Sequence, residues 1–419
     1  MSQVNSDLSV VGACRILEAR ALVRHLLRVY GSWYFDMSSL GSRVFLLFLA
    51  IGFFGCSSGS GSSVSPPPLP PVVGQWSAPS CVEIGGSSSV AFSTNTGQSY
   101  VLPQTPLNSS SSSFASGIAP IQGTPNTLFV THNGSVLVSS DAGCTWSQIA
   151  AISLVSSRLA VGTDASSVYA WQINESVAYQ VSNTGSRREF SLPTGSAKGF
   201  SVSMSNGQQI RIVDRNGLLF QSMDGGRNWT AIGVPAPLGA FQFANMAAFS
   251  FLNIDHVFVG SQDSGYVSMD GGINWTVSTG IAGNWPNFNV TTAQFSEASS
   301  DVLWMVALGV SNSTSSMERA IFRSADGGIS FENLLQHGVD GLVLQNEPVF
   351  DVSSSNPNKI VIVVEWRDGA CGVSTFSYDS DQIALIRNDS LEIFSAGSVS
   401  FSPADDSITY LGLQSDPDC

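Results

Sequence analysis

The chain has 419 residues, a formal charge of −14, 43% hydrophobic residues and only 11% charged ones. The acidic balance excludes nucleic acid and anionic membrane surfaces as partners, because both need clustered Lys and Arg. The apolar fraction excludes wholesale disorder, and the shortage of charge beside 40 glycines argues for short strands and turns over long helices with charged faces.

In chain order, residues 1–36 include "RILEARALVRHLLRVY", a weak amphipathic helical pattern. Met37 stands six residues before Arg43, so residues 1–36 are expected to be either an upstream artefact or a basic extension, with residues 37–55 the signal peptide. "VFLLFLAIGFFG" (residues 44–55) is an apolar run of twelve residues. That is too short for a bilayer span, which needs about 20, and suits the hydrophobic region of a signal peptide. A charged start, a short apolar run, then Gly55-Cys56 resemble a bacterial lipoprotein signal. The resemblance implies lipidation of Cys56, and Ser57 after it leans toward the outer membrane. The membrane would then be met through a lipid anchor alone. Residues 56–74, "CSSGSGSSVSPPPLPPVVG", form a Ser/Gly/Pro-rich tether.

From residue 75 the chain repeats itself. "SSDAGCTW", "SMDGGRNW", "SMDGGINW" and "SADGGISF" share Ser-x-Asp-x-Gly-x-x-aromatic, marked by Asp141, Asp224, Asp270 and Asp326. "STNTGQSY" is a softened copy with Asn95 and Gly97, and weaker ones lie around Asn183 and Asp379. The seven marks are 41 to 56 residues apart. Strand-like filling at that period predicts a β-propeller with one four-stranded blade per repeat. Hairpin signals agree: Asn133-Gly134 and Asn216-Gly217 each sit between apolar runs. The last segment supplies the first half of a hairpin and the first segment the second half. The sequence therefore predicts an all-β, seven-bladed ring over residues 75–419, closed by a blade that both ends share.

The repeat resembles the Asp-box, or bacterial neuraminidase repeat. The resemblance implies structural roles. The Asp accepts backbone N–H bonds across a tight turn, while Gly143, Gly226, Gly272 and Gly328 supply positive φ. Trp146, Trp229, Trp275 and Phe331 pack between blades. It also places this turn on the face away from the functional one. Cys81 and Cys419 fall at the same hairpin end, which predicts a disulfide latching the ring. Cys371 is the competing partner, and Cys144, at the other face, is expected to be unpaired.

On the functional face the candidates are His132, Glu175, Asp214, Arg215, Asp263, Trp285, Arg367 and Asp368, from strand-connecting and inter-blade loops. A sialidase would need an arginine triad and a Phe-Arg-Ile-Pro-like segment near its start, and the sequence has no such segment. Endoglucanase and xyloglucanase propellers work as tandem pairs with two carboxylates across a cleft, for which one ring is too short. No metal-ligand spacing and no phosphate loop occurs, so neither metal nor cofactor is expected. The chain also resembles single-propeller envelope lipoproteins and photosystem II assembly factor-like proteins. Together these readings imply a monomeric, non-catalytic scaffold at the cell envelope that binds a protein or a glycan. The alternative is a sialidase-like glycoside hydrolase.

Overall fold

The computed structural model describes residues 74–415, apart from residues 79–87, 102–114, 163–166, 282–286, 311–315, 368–370, most of 339–346, and positions 383 and 393. The signal, the tether, Cys56, Cys81, Cys419, Trp285 and Asp368 lie outside the described residues. Within them there is no helix, and every sheet is antiparallel.

Six sheets have four strands each, in simple sequential order, over residues 115–151, 158–191, 197–232, 244–277, 289–336 and 349–392. They are blades 1 to 6. Blade 7 is made from both ends of the chain: β26 (Phe394–Ser402) pairs with β27 (Asp405–Ser415), which pairs with β1 (Ser88–Ser93). Phe92 sits opposite Tyr410 in that last ladder. Among the described residues, the fourth strand position is held by a bridge between Phe92 and Val101. The closing blade thus takes two strands from the C-terminal side and one strand and a bridge from the N-terminal side.

Each blade contributes its first strand to the centre. These are β2 (Ala115–Ile121), β6 (Arg158–Val161), β10 (Ala197–Val202), β14 (Ala244–Phe249), β18 (Asn289–Phe295), β22 (Val349–Val352) and β26. Neighbouring first strands touch in an unbroken circuit, with β26 returning to β2. The ring is a seven-bladed β-propeller, and closure removes the open ends that an unclosed array of blades would leave.

The apolar core follows from this geometry. A blade buries both faces against its neighbours, so its strands carry apolar residues on both sides. The core is divided into seven clusters, one in each gap between blades. Between blades 4 and 5, for example, Met246 and Phe258 meet Phe288, Met305 and Phe322. The leading segment is tied to the closing blade and blade 1. Trp76 Nε1 donates to the Tyr410 hydroxyl at 2.8 Å, and Ser77 and Asn126 exchange two hydrogen bonds.

Candidate functional site

Antiparallel order gives the ring two distinct ends. One end carries the connections from first to second strand and from third to fourth, which include the Ser-x-Asp turns; we call it the turn end. The rim end carries the second-to-third connections and the links between blades.

At the turn end the four repeats build one hydrogen-bonded device. In blade 4, Ser268 Oγ donates to Asp270 and accepts the Gly272 N–H at 2.8 Å. Asp270 then accepts the Asn274 N–H at 2.8 Å and its side-chain amide at 2.7 Å. The same Ser–Asp–Gly pattern recurs at Asp141, Asp224 and Asp326, and Asn95 reproduces most of it. Gly226 shows why glycine is required: φ is +93°, and a Cβ would lie 2.6 Å from the Phe190 ring. The aromatic that ends each motif reaches the preceding blade. Trp229 stacks on Phe190 at 6.4 Å, Phe331 meets Phe258 at 5.5 Å, and Trp275 Nε1 donates to Val234 O. Trp146 packs in the gap between blades 7 and 1.

These hydrogen bonds hold the turn carboxylates ionised. For Asp224 and Asp270 the backbone N–H of Asn228 and of Asn274 is the largest influence, and both pKa values lie below the ordinary range. For Asp141 and Asp326 burial pushes upward, but the side-chain and backbone donors of Thr145 and Ser330 outweigh it and the net shift is down. A carboxylate saturated with donors is a poor base, and its geometry marks it as scaffold.

Cys144, inside the first turn, is disulfide-bonded. This corrects the expectation that it is unpaired: sitting at the turn end did not isolate it from a second cysteine. The predicted Cys81–Cys419 pairing lies outside the described residues, as does the side chain of Cys371.

At the rim end the eight candidates separate. His132 and Asp214 are buried. Asp214 accepts the N–H groups of Asn216 and Leu218 at 2.8 and 2.9 Å, so it caps its own hairpin turn. Glu175, Arg215 and Asp263 are exposed, and Asp263 adopts φ +60°. Arg367 ends the second strand of blade 6, its side chain undescribed. Arg215 stacks over the Phe243 ring, 3.9 Å from its centroid. Lys198 stands near enough that Arg215 helps lower its pKa, after burial.

Sequence reasoning missed what stands beside Arg215. The link between blades 3 and 4 raises Phe241 into solvent, 97% exposed and at φ +68°, with Phe243 46% exposed two residues on. The loop is anchored by Ala236 N to Gly217 O and by Ala244 N to Arg215 O. "GAFQF" has no periodicity, so the one available signal was two Phe in a Gly- and Pro-rich link.

The second missed feature is the central channel, a cavity of about 510 Å3 walled by the seven first strands. Its charge is divided by end. Arg158 lies at the rim end, reached by solvent yet surrounded by protein, and the desolvation lowers its guanidinium pKa while Glu347 partly restores it. Glu347 also pairs with Arg319 at 3.2 Å. Toward the turn end stand two carboxylates, Asp351 on β22 and Glu297 just beyond β18. Solvent reaches part of each, but protein surrounds both. Asp351 accepts Gln294 Nε2 from blade 5 and the Phe401 N–H of blade 7, the latter at 2.7 Å, so it joins three consecutive blades. Glu297 accepts Gln122 Nε2 at 3.4 Å, and that contact crosses the channel from blade 1 to blade 5. Burial raises both pKa values; with Asp351 adding its charge, Glu297 is pushed up to about 7. The enclosed carboxylates therefore lie at the end opposite the one from which the functional candidates were drawn. An Asp on the first strand of a blade, in a chain so poor in charge, was the sequence signal.

No family model matches the chain. It is 28% identical over 351 residues to the dispase autolysis-inducing protein of Streptomyces mobaraensis, covering 81% of this chain and 90% of that protein. Among solved structures, the GH74 xyloglucanase of Xanthomonas campestris aligns with a TM-score of 0.53 at 14% identity, over 73% of this chain and 51% of that one. The GH74 enzyme of Niastella koreensis aligns at 0.51 and 15%, over 73% and 52%. The chain spans about half the length of these two enzymes. At such identities what is shared is the fold, a β-propeller.

Proposed function

We propose that this chain is a non-catalytic propeller that binds a partner protein through the rim end, displayed at the cell envelope by a lipid anchor at Cys56. The observation that carries the reading is the corner of Phe241, Phe243 and Arg215. A fully exposed aromatic in a left-handed conformation gains nothing for the fold, whereas aromatic and Arg side chains dominate binding energy at protein interfaces. At the other end the repeated turns engage their carboxylates with donors of the same turn. Gly74 N donates to Gln122 O, so the first described residues lie at the turn end. The Streptomyces relative supports a protein as the ligand: its name describes an effect on another protein, dispase, that leads to autolysis. A partner enzyme capable of autolysis is the first to test.

The test is surface plasmon resonance with the propeller immobilised and dispase as analyte, alongside a glycan array. Binding that falls at least about tenfold in both Phe241→Ala and Arg215→Ala supports the reading. Unchanged binding by both variants, or glycan binding alone, overturns it. Labelling with a palmitate analogue checks the anchor, which Cys56→Ala should abolish.

One observation favours the glycoside hydrolase reading: two carboxylates share the channel, and Glu297 has the raised pKa of a general acid. Asp351 weakens it, since its two oxygens are engaged by Gln294 and Phe401. Turnover of fluorogenic glycosides that vanishes in Glu297→Gln would favour catalysis over scaffolding.

A further inference from the structure

The central channel carries opposite charges toward its two ends. Its volume falls within the range of small-molecule sites, about 300–1,000 Å3. Toward the turn end its wall sets Phe251, Phe295, Phe401 and Met204 beside polar groups that include Glu297, Asp351, Gln122 and Gln294. Apolar surface beside convergent polar groups suits a ligand that has both an apolar body and a charged head. The two carboxylates have no cation: neither belongs to any ion pair among the described residues. Arg211, by contrast, has a direct counter-charge in Asp255 at 2.5 Å. A bare metal ion is a poor candidate, because among the described residues no cluster of three ligating side chains exists.

We propose that the turn-end half of the central channel binds a small organic cation, an amine or guanidinium on an apolar body, with Glu297 and Asp351 as its counter-charges. The hydrocarbon part lies against Phe251, Phe295 and Phe401, and the cation replaces the long Gln122–Glu297 contact that now crosses the channel. Entry is from the turn end. A cation approaching from the rim end would meet Arg158, which repels it, and Arg158 is the one cationic side chain among the described residues that line the channel. Binding is linked to protons. Glu297 faces Asp351 and Gln122 across the lumen, with Arg158 at the far end, and a positive ligand favours its ionised form.

The experiment is isothermal titration of the whole propeller with 2-phenylethylamine, and with 2-phenylethanol as the uncharged analogue, at pH 6 and pH 8. The amine is expected to bind with a dissociation constant below about 1 mM at pH 8. It should bind about tenfold more weakly at pH 6, where a group titrating near pH 7 is mostly protonated. The alcohol should not bind. Glu297→Gln should remove the amine affinity and its pH dependence, whereas Gln122→Ala should keep or improve the affinity because it frees the carboxylate. A melting curve confirms that each variant is folded. No amine binding at 10 mM ligand (about ten times the expected constant), equal binding of the alcohol, or full affinity in Glu297→Gln overturns the proposal. The site is independent of protein docking at the rim: Phe241→Ala should leave amine affinity unchanged, so the two readings can fail separately.

Discussion

The Ser-x-Asp turns and the channel both hold carboxylates, and the two settings move them in opposite directions. At the turns, each Asp meets a serine hydroxyl and backbone N–H groups within a few residues of itself, and its pKa falls. In the channel, Glu297 meets one distant amide and a second carboxylate, and its pKa rises. Donors supplied by the local chain stabilise charge cheaply and repeatedly. A carboxylate whose surroundings come from the centre of seven blades is stabilised only by what the blades happen to offer. Repetition therefore marks scaffold, and the unrepeated charge is where a ligand has something to gain.

The largest expected effect would break the repeated side of this contrast. Gly226→Ala places a Cβ at φ +93° against the Phe190 ring, which is itself stacked on Trp229. The loss is expected to be about 3 kcal/mol, read from urea unfolding. Next is Ser268→Ala. Ser268 is buried and its oxygen accepts the buried Gly272 N–H. Removing it leaves that donor unpaired and should cost about 2 kcal/mol. Either variant keeping wild-type stability would mean that the turns do not hold the blades.

The channel side is sharpened by pH. Glu297 has a folded pKa of about 7, above its unfolded value near 4.5. The folded state then holds the proton more tightly, so stability falls as pH rises from about 4.5 through 7. The turn acids act with the opposite sign. Their folded pKa values are depressed, so their contribution is full above about pH 4 and is lost as pH drops below it. Maximum stability should lie between these windows. Glu297→Gln should gain about 2 kcal/mol over wild type at pH 8 and nothing at pH 4, with thermal melts across pH as the measurement. A pH profile identical to wild type would show that Glu297 is not held neutral by its surroundings.

Most of the fold was legible because propellers write their geometry into local sequence. The spacing of the seven marks from Asn95 to Asp379 and the half-hairpins at the two ends gave the blade count and the closure that β1 and β27 form. Asn133-Gly134 appears as a turn with φ of +46° and +68°. The site was much less legible. Asp214 looked like a rim carboxylate and is a turn cap, because its role is set by N–H groups two and four residues away. Asp351 and Glu297 are far apart in sequence from their partners Phe401 and Gln122, and only closure of the ring brings them together. Local patterns report local bonds, whereas the channel is made by every blade at once.

The smallest expected change in stability is also the most informative about the rim. Phe241 bears a bulky side chain at φ +68° and is 97% exposed. The left-handed conformation costs a non-glycine residue about 1 kcal/mol, and an exposed ring returns almost no burial. Phe241→Gly relieves that strain, while the added freedom of the unfolded chain offsets a similar amount. The net change should lie within about 0.5 kcal/mol of zero, yet partner affinity should fall as far as in Phe241→Ala. A large loss of stability would show that the ring packs against something the fold needs, and the exposed corner would then be scaffold like the turns. Neutral stability with lost binding would leave a strained aromatic that the fold does not use, held ready for a partner at the end of the ring where the sequence does not repeat.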